Sequence, residues 1–149
     1  MQNNGNYVPN IVRDTIIWLE ANGAINEEGL FRVPGQMTII ENLKKEYDTR
    51  GTGTLDGITD VASVAGLLKL YLRELPEPLL VFRFYSTFVK IAKNPEAESR
   101  LRNLRILVNG LPEANKATVF YLLQFLSKVV ANEKVNRHVH YVILSSPFR

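Results

Sequence analysis

Between Val119 and Val130 apolar side chains fall at i, i+3, i+4, i+7, i+10 and i+11 (Val119, Leu122, Leu123, Leu126, Val129, Val130), the spacing of one broad stripe on an α-helix. Such a stripe must be covered by other elements. Almost every other segment shows the same helical period, and none shows sustained strand alternation. The chain is therefore expected to be all-α, a single-domain helical bundle of about seven or more helices with residues 119–130 at its centre. Further helices are expected over 9–23, opened by Pro9 and stopped by Gly23, and after Gly35, with Ile39, Ile40, Leu43 and Tyr47 inward. Another runs from an Asp60 N-cap to Leu75, with Val61, Val64, Ala65, Leu68 and Leu72 inward. The last two cover 80–93 and 95–109, the latter with Leu101, Leu104 and Val108 inward.

A chain of 149 residues, 46% of them hydrophobic, suffices for one core. The net charge of +3 comes from interleaved acidic and basic residues, too mild a balance to point to nucleic acid. The absence of cysteine excludes disulfides and thiolate metal sites, and His138 with His140 are too few to ligate zinc. Residues 1–7 are polar and read as a flexible N-terminal segment, and no apolar run is long enough to cross a bilayer. One domain over 1–149, excised from a larger protein, is the expected organisation.

Two segments carry chemistry. In Gly29-Leu30-Phe31-Arg32-Val33-Pro34-Gly35, Pro34 biases Val33 away from helix and the glycines break the chain on either side, so Arg32 is expected on a loop. Leu30, Phe31 and Val33 are too apolar for a free loop and are expected to insert into the bundle while Arg32 points outward. An anchored guanidinium suits delivery of charge to phosphate oxygens on another molecule. The plainer alternative is an Arg paired with a carboxylate such as Glu28. In the second segment, residues 67–80, Lys69 and Arg73 stand one turn apart on a helix, on the flank shared by Ala62 and Gly66. Gly66 costs about 1 kcal/mol relative to Ala in a helix. Its place there signals close approach by another molecule or, more plainly, by a neighbouring helix.

Together these segments resemble the RhoGAP family. The first is similar to its arginine-finger loop, and Lys69-x-x-x-Arg73-x-Leu75-Pro76-x-Pro78-Leu79 is similar to its conserved helix end. Pro9-Asn10-Ile11-Val12 and Leu111-Pro112-Glu113-Ala114-Asn115 extend the likeness, which covers about residues 9–132. The resemblance implies a cytoplasmic, monomeric module, brought to membranes by other domains or by its partner. That partner is a Rho-family small GTPase (Rho, Rac or Cdc42 type) in the GTP-bound state. Arg32 would enter the partner's nucleotide site in trans and stimulate hydrolysis. Arg73 would mainly hold the loop by hydrogen bonds, and Lys69 would serve the interface beside Pro78. The module would have no cofactor of its own, the GTPase carrying GTP and Mg²⁺, and would run no reaction by itself. Counting back from Pro147, His140 takes the place of the family's interface Asn in a segment about two residues short.

A rival in the same fold binds GTPases or another partner without stimulating hydrolysis; Arg32 argues against it. A second rival, contact with nucleic acid or acidic lipid through Arg100, Arg102 and Arg105, competes with plain solvation beside Glu96 and Glu98. The Gly-rich run 51–57 lacks the Lys-Ser/Thr of a phosphate loop and reads as a mobile connection. Ser145 and Ser146 lack a nucleophile-elbow frame.

Overall fold

The computed structural model describes residues 7–136, and they form seven α-helices. These are α1 (Asn10–Ala21), α2 (Met37–Arg50), α3 (Val61–Arg73), α4 (Tyr85–Ala92), α5 (Ala97–Asn109), α6 (Glu113–Ala131) and α7 (Glu133–Asn136). Short 3-10 turns at Ala24–Asn26 and Phe82–Phe84 complete the regular structure, with no strand among the described residues.

Helix α3 is the axis of the bundle and packs against both α1 and α2, while α6 closes the other side of α1. Its sequence explains that role. Val64, Ala65, Leu67, Leu68 and Leu72 are all buried, so only a narrow flank remains for polar work. Burying each large side chain contributes about 1.5–3 kcal/mol. Asp60 caps the helix as expected, its Oδ1 accepting from the Ala62 N–H at 3.2 Å. Gly23 (φ +70°) and Gly51 (φ +72°) take the left-handed conformation after α1 and α2. Buried hydroxyls are satisfied within their own helices: Thr15 Oγ1 donates to the Ile11 carbonyl (2.6 Å) and Thr118 Oγ1 to that of Ala114 (2.7 Å).

Four expectations need correction. On α6 the inward face is Thr118, Val119, Leu122, Phe125, Leu126 and Val129, while Leu123 is exposed. The centre of the buried arc is rotated towards Phe125, three residues after Leu122 and four before Val129. On α5 nothing is fully buried and Leu101 faces solvent, because that helix packs chiefly on α4 at the edge of the bundle. Residues 80–84 and Lys93 lie outside α4: Val81 is buried at φ +51°, a turn that no helix continues, and Phe82–Phe84 form a 3-10 turn. Finally, the 51–57 run is docked. The Gly53 α-carbon lies so close to the Tyr47 ring that a Cβ there would stand 2.4 Å from it, the Thr54 N–H donates to Glu46 Oε2 (2.9 Å), and Leu55 is buried.

Candidate partner-binding site

The loop between α1 and α2 wraps into a tight turn around Gly29 to Val33. The Arg32 N–H reaches the Gly29 carbonyl at 2.7 Å and that of Leu30 at 2.8 Å, and the Val33 N–H reaches Gly29 at 2.9 Å. Closing this turn forces Phe31 to φ +58°, a conformation that costs a non-glycine residue about 1–3 kcal/mol. Three contacts hold it there. Leu30 is buried. The Phe31 ring meets the fully buried Phe125 edge-on, centroids 6.1 Å apart at 86°, an arrangement worth about 0.5–1.5 kcal/mol beyond its burial. The Phe31 carbonyl accepts from Lys69 Nζ at 2.7 Å.

The exit of the loop is fixed as firmly. Gly35 lies directly against the backbone of α3, where a Cβ would stand 2.4 Å from the Ser63 α-carbon. The next N–H, that of Gln36, donates to Ser63 Oγ at 2.8 Å, and Ser63 in turn donates to the capping Asp60. Thus one flank of α3, running from Ala62 and Ser63 to Lys69, seats the loop at two points. Gly66 lies between them, and a Cβ there would meet Ile40 Cδ1 of α2 at 2.7 Å. The glycine is explained by the packing of α2 on α3, the plainer of its two readings.

Arg32 stands at the tip of this scaffold with its side chain exposed. The guanidinium folds back over Gly29, whose Cβ, if it had one, would stand 3.3 Å from Nη2 and 3.4 Å from Nε. Gly29 therefore serves both its own positive φ (+74°) and the rest position of Arg32. Arg32 forms no ion pair among the described residues, so the plainer reading of a structural pair with Glu28 finds no support. Val33, expected to insert, is exposed.

Lys69 and Arg73 do share the flank, but the bond that holds the loop comes from Lys69 and not from Arg73. Lys69 is half-buried and holds the loop, whereas Arg73 is exposed and no hydrogen bond joins it to that loop among the described residues. Burial, and after it the neighbouring Arg73 guanidinium, push the Lys69 ammonium below its ordinary range. Reach explains why Lys69 makes this bond: it is on the nearer turn of α3 to the Phe31 carbonyl, and Arg73 sits at the end of the helix. Pro78 lies beyond α3, its carbonyl accepting from the Val81 N–H (2.8 Å), in a turn that Asn115 braces by donating to the Leu79 carbonyl (3.0 Å). His140 lies outside the described residues. The sequence reading missed Phe125 and the Asp60–Ser63–Gln36 clamp. Phe125 was legible from its spacing to Leu122 and Val129; the clamp has no sequence signature beyond a Ser three residues after a capping Asp.

The arrangement offers one exposed guanidinium on a stiff turn and a second exposed cation, Arg73, one helical turn beyond the lysine that holds it. It matches known proteins closely. The model of the RhoGAP domain family matches residues 9–141. Rho GTPase-activating protein gacII of Dictyostelium discoideum is 43% identical over 122 residues, covering 80% of this chain and 15% of that protein. Rho GTPase-activating protein 22 of Mus musculus is 39% identical over 132 residues, covering 87% and 18%. Among solved structures, human Rho GTPase activating protein 15 superposes with a TM-score of 0.86 at 31% identity, over 92% of this chain and 65% of that one. The BH domain of GRAF, the GTPase regulator associated with focal adhesion kinase, gives 0.79 at 34% identity, over 86% and 69%. The chain thus spans less than a fifth of these two curated relatives. By fold, loop and sequence, it belongs to the RhoGAP domain family.

Proposed function

We propose that this chain binds a GTP-loaded Rho-family small GTPase and accelerates its hydrolysis by placing Arg32 against the transferring phosphoryl group. The observation that carries the reading is the strained, triply anchored turn beneath Arg32. A guanidinium on a mobile loop would lose most of its interaction energy to ordering, whereas here the backbone is already fixed by Leu30, Phe31 on Phe125 and the Lys69 bond. The Arg32 side chain rests against Gly29, and on this proposal it swings outward to the partner from a backbone that is already fixed. An arginine supplied in trans typically contributes about 10³–10⁵ in rate, or about 4–7 kcal/mol of barrier. GTP and Mg²⁺ belong to the GTPase, and the module supplies charge and position. Arg73, exposed on the same flank, contacts the partner. Pro78 and His140 belong to the same proposed face. The site of action proposed is the cytoplasmic side of membranes, where the partner is held.

The test is single-turnover phosphate release from GTP-loaded Rho, Rac and Cdc42, with and without the module. Acceleration of at least one of them supports the proposal. Tight binding to the GTP-loaded forms with no acceleration of any would replace it by the binding-only reading.

A further inference from the structure

The α4–α5 hairpin has no part in presenting Arg32, and its charge sets it apart: other surfaces also expose large apolar side chains, such as Phe120 and Leu123 on α6, but without a matching excess of cations. Residues 82–109 hold six Lys or Arg against two Glu, a local net charge of +4 in a chain whose total is only +3, so the remainder is slightly acidic. No residue of α4 or α5 is fully buried. Large apolar side chains instead stand in solvent among the cations: Phe82 (66% exposed) and Tyr85 (61%) at the start of the hairpin, Leu101 (57%) and Ile106 (70%) on α5.

The helical rotation places Leu101, Arg102, Arg105 and Ile106 on one face of α5, and all four are exposed. Arg100 points elsewhere; its Nη1 donates to the Asn94 carbonyl at 2.7 Å and braces the hairpin turn. Of the three arginines singled out in the sequence, two are therefore available. Lys90 on α4 and Lys93 just after it are exposed as well.

A single exposed apolar side chain needs no explanation. Four large ones interleaved with cations on a hairpin do, and the chemistry limits what covers them. A nucleic acid would engage the arginines and leave Leu101 and Ile106 in water. A second copy of the chain in a symmetric dimer would set one cationic hairpin against another. An anionic bilayer satisfies both features, because arginine and lysine meet the headgroup charge while aromatic and aliphatic tips enter the boundary with the acyl chains. We propose that the α4–α5 hairpin is a membrane-contact surface that lies on anionic lipid, with Arg102 and Arg105 on the headgroups and Leu101 and Ile106 inserted between them. This contact is separate from the Arg32 loop and is independent of any GTPase.

Vesicle co-sedimentation without GTPase tests it, comparing phosphatidylcholine alone with phosphatidylcholine plus phosphatidylserine. The chain is expected to bind the anionic vesicles only. The double variant Arg102→Gln/Arg105→Gln should bind on the order of thirtyfold more weakly. Leu101→Ser/Ile106→Ser should lose the fraction that stays bound when salt is raised. Both variants should keep the wild-type melting curve. No binding to anionic vesicles, or equal binding by all three proteins, overturns the proposal. So does a loss confined to the charge variant together with binding to RNA, which marks a polyanion contact. A concentration-dependent dimer in sedimentation velocity, abolished by Leu101→Ser/Ile106→Ser and unaccompanied by vesicle binding, overturns it in favour of self-association.

Discussion

The Arg32 loop and the α4–α5 hairpin both display exposed arginines, and they are built in opposite ways. The loop is short, irregular and strained, yet it is tied to the core at Leu30, Phe31, Lys69, Gly35 and Gln36. The hairpin is regular and unstrained over most of its length, yet no residue of its two helices is buried. Regularity and rigidity are thus separate properties. On the proposed function the Arg32 guanidinium must reach one phosphoryl group and needs a fixed backbone, and the packing of Phe125 and the flank of α3 supply it. Side chains that meet a broad surface need only be displayed, and a thinly packed helix pair displays them.

The contrast predicts a graded series of effects on stability. Phe125→Ala removes the ring beneath Phe31 and should cost about 3–5 kcal/mol in denaturant unfolding, enough to free the loop. Gly35→Ala drives a methyl into the Ser63 backbone, where no flexible side chain can yield, and should cost about 1–3 kcal/mol. Lys69→Met leaves the Phe31 carbonyl without its charged donor and should cost about 1–3 kcal/mol. Activation should fall further than this stability loss explains, and hydrogen exchange in residues 29–35 should rise while that of α6 holds. Leu101→Ser/Ile106→Ser should change stability by less than about 0.5 kcal/mol. A hairpin variant that destabilises the bundle as much as Gly35→Ala would erase the distinction between the two regions.

The parts of this picture legible in the sequence were those with a local cause. Asp60 announces its cap, Gly23 its left-handed stop, and the stripe of α3 its buried face, because each depends on residues within a few positions. The loop around Arg32 was legible as a loop from Pro34 and its flanking glycines. What lay beyond reach depended on contacts distant in the chain. The period of α5 marks Leu101, Leu104 and Val108 as a stripe, but whether anything covers a stripe is decided by other elements. The division of labour between Lys69 and Arg73 followed the resemblance rather than reach, and the observed bond from Lys69 to Phe31, 38 residues apart in the chain, could not be read from spacing. The positive φ of Phe31 was equally hidden, since an aromatic residue gives no warning of a left-handed turn.

The most direct test of the central claim compares wild type with Arg32→Ala in single-turnover GTP hydrolysis, each at saturating concentration on the GTPase that responds best, with affinity measured in parallel. The account predicts that Arg32→Ala keeps the wild-type fold and binds the GTP-loaded partner, yet loses about 10³–10⁵ of the acceleration. Equal hydrolysis rates for the two proteins would contradict it.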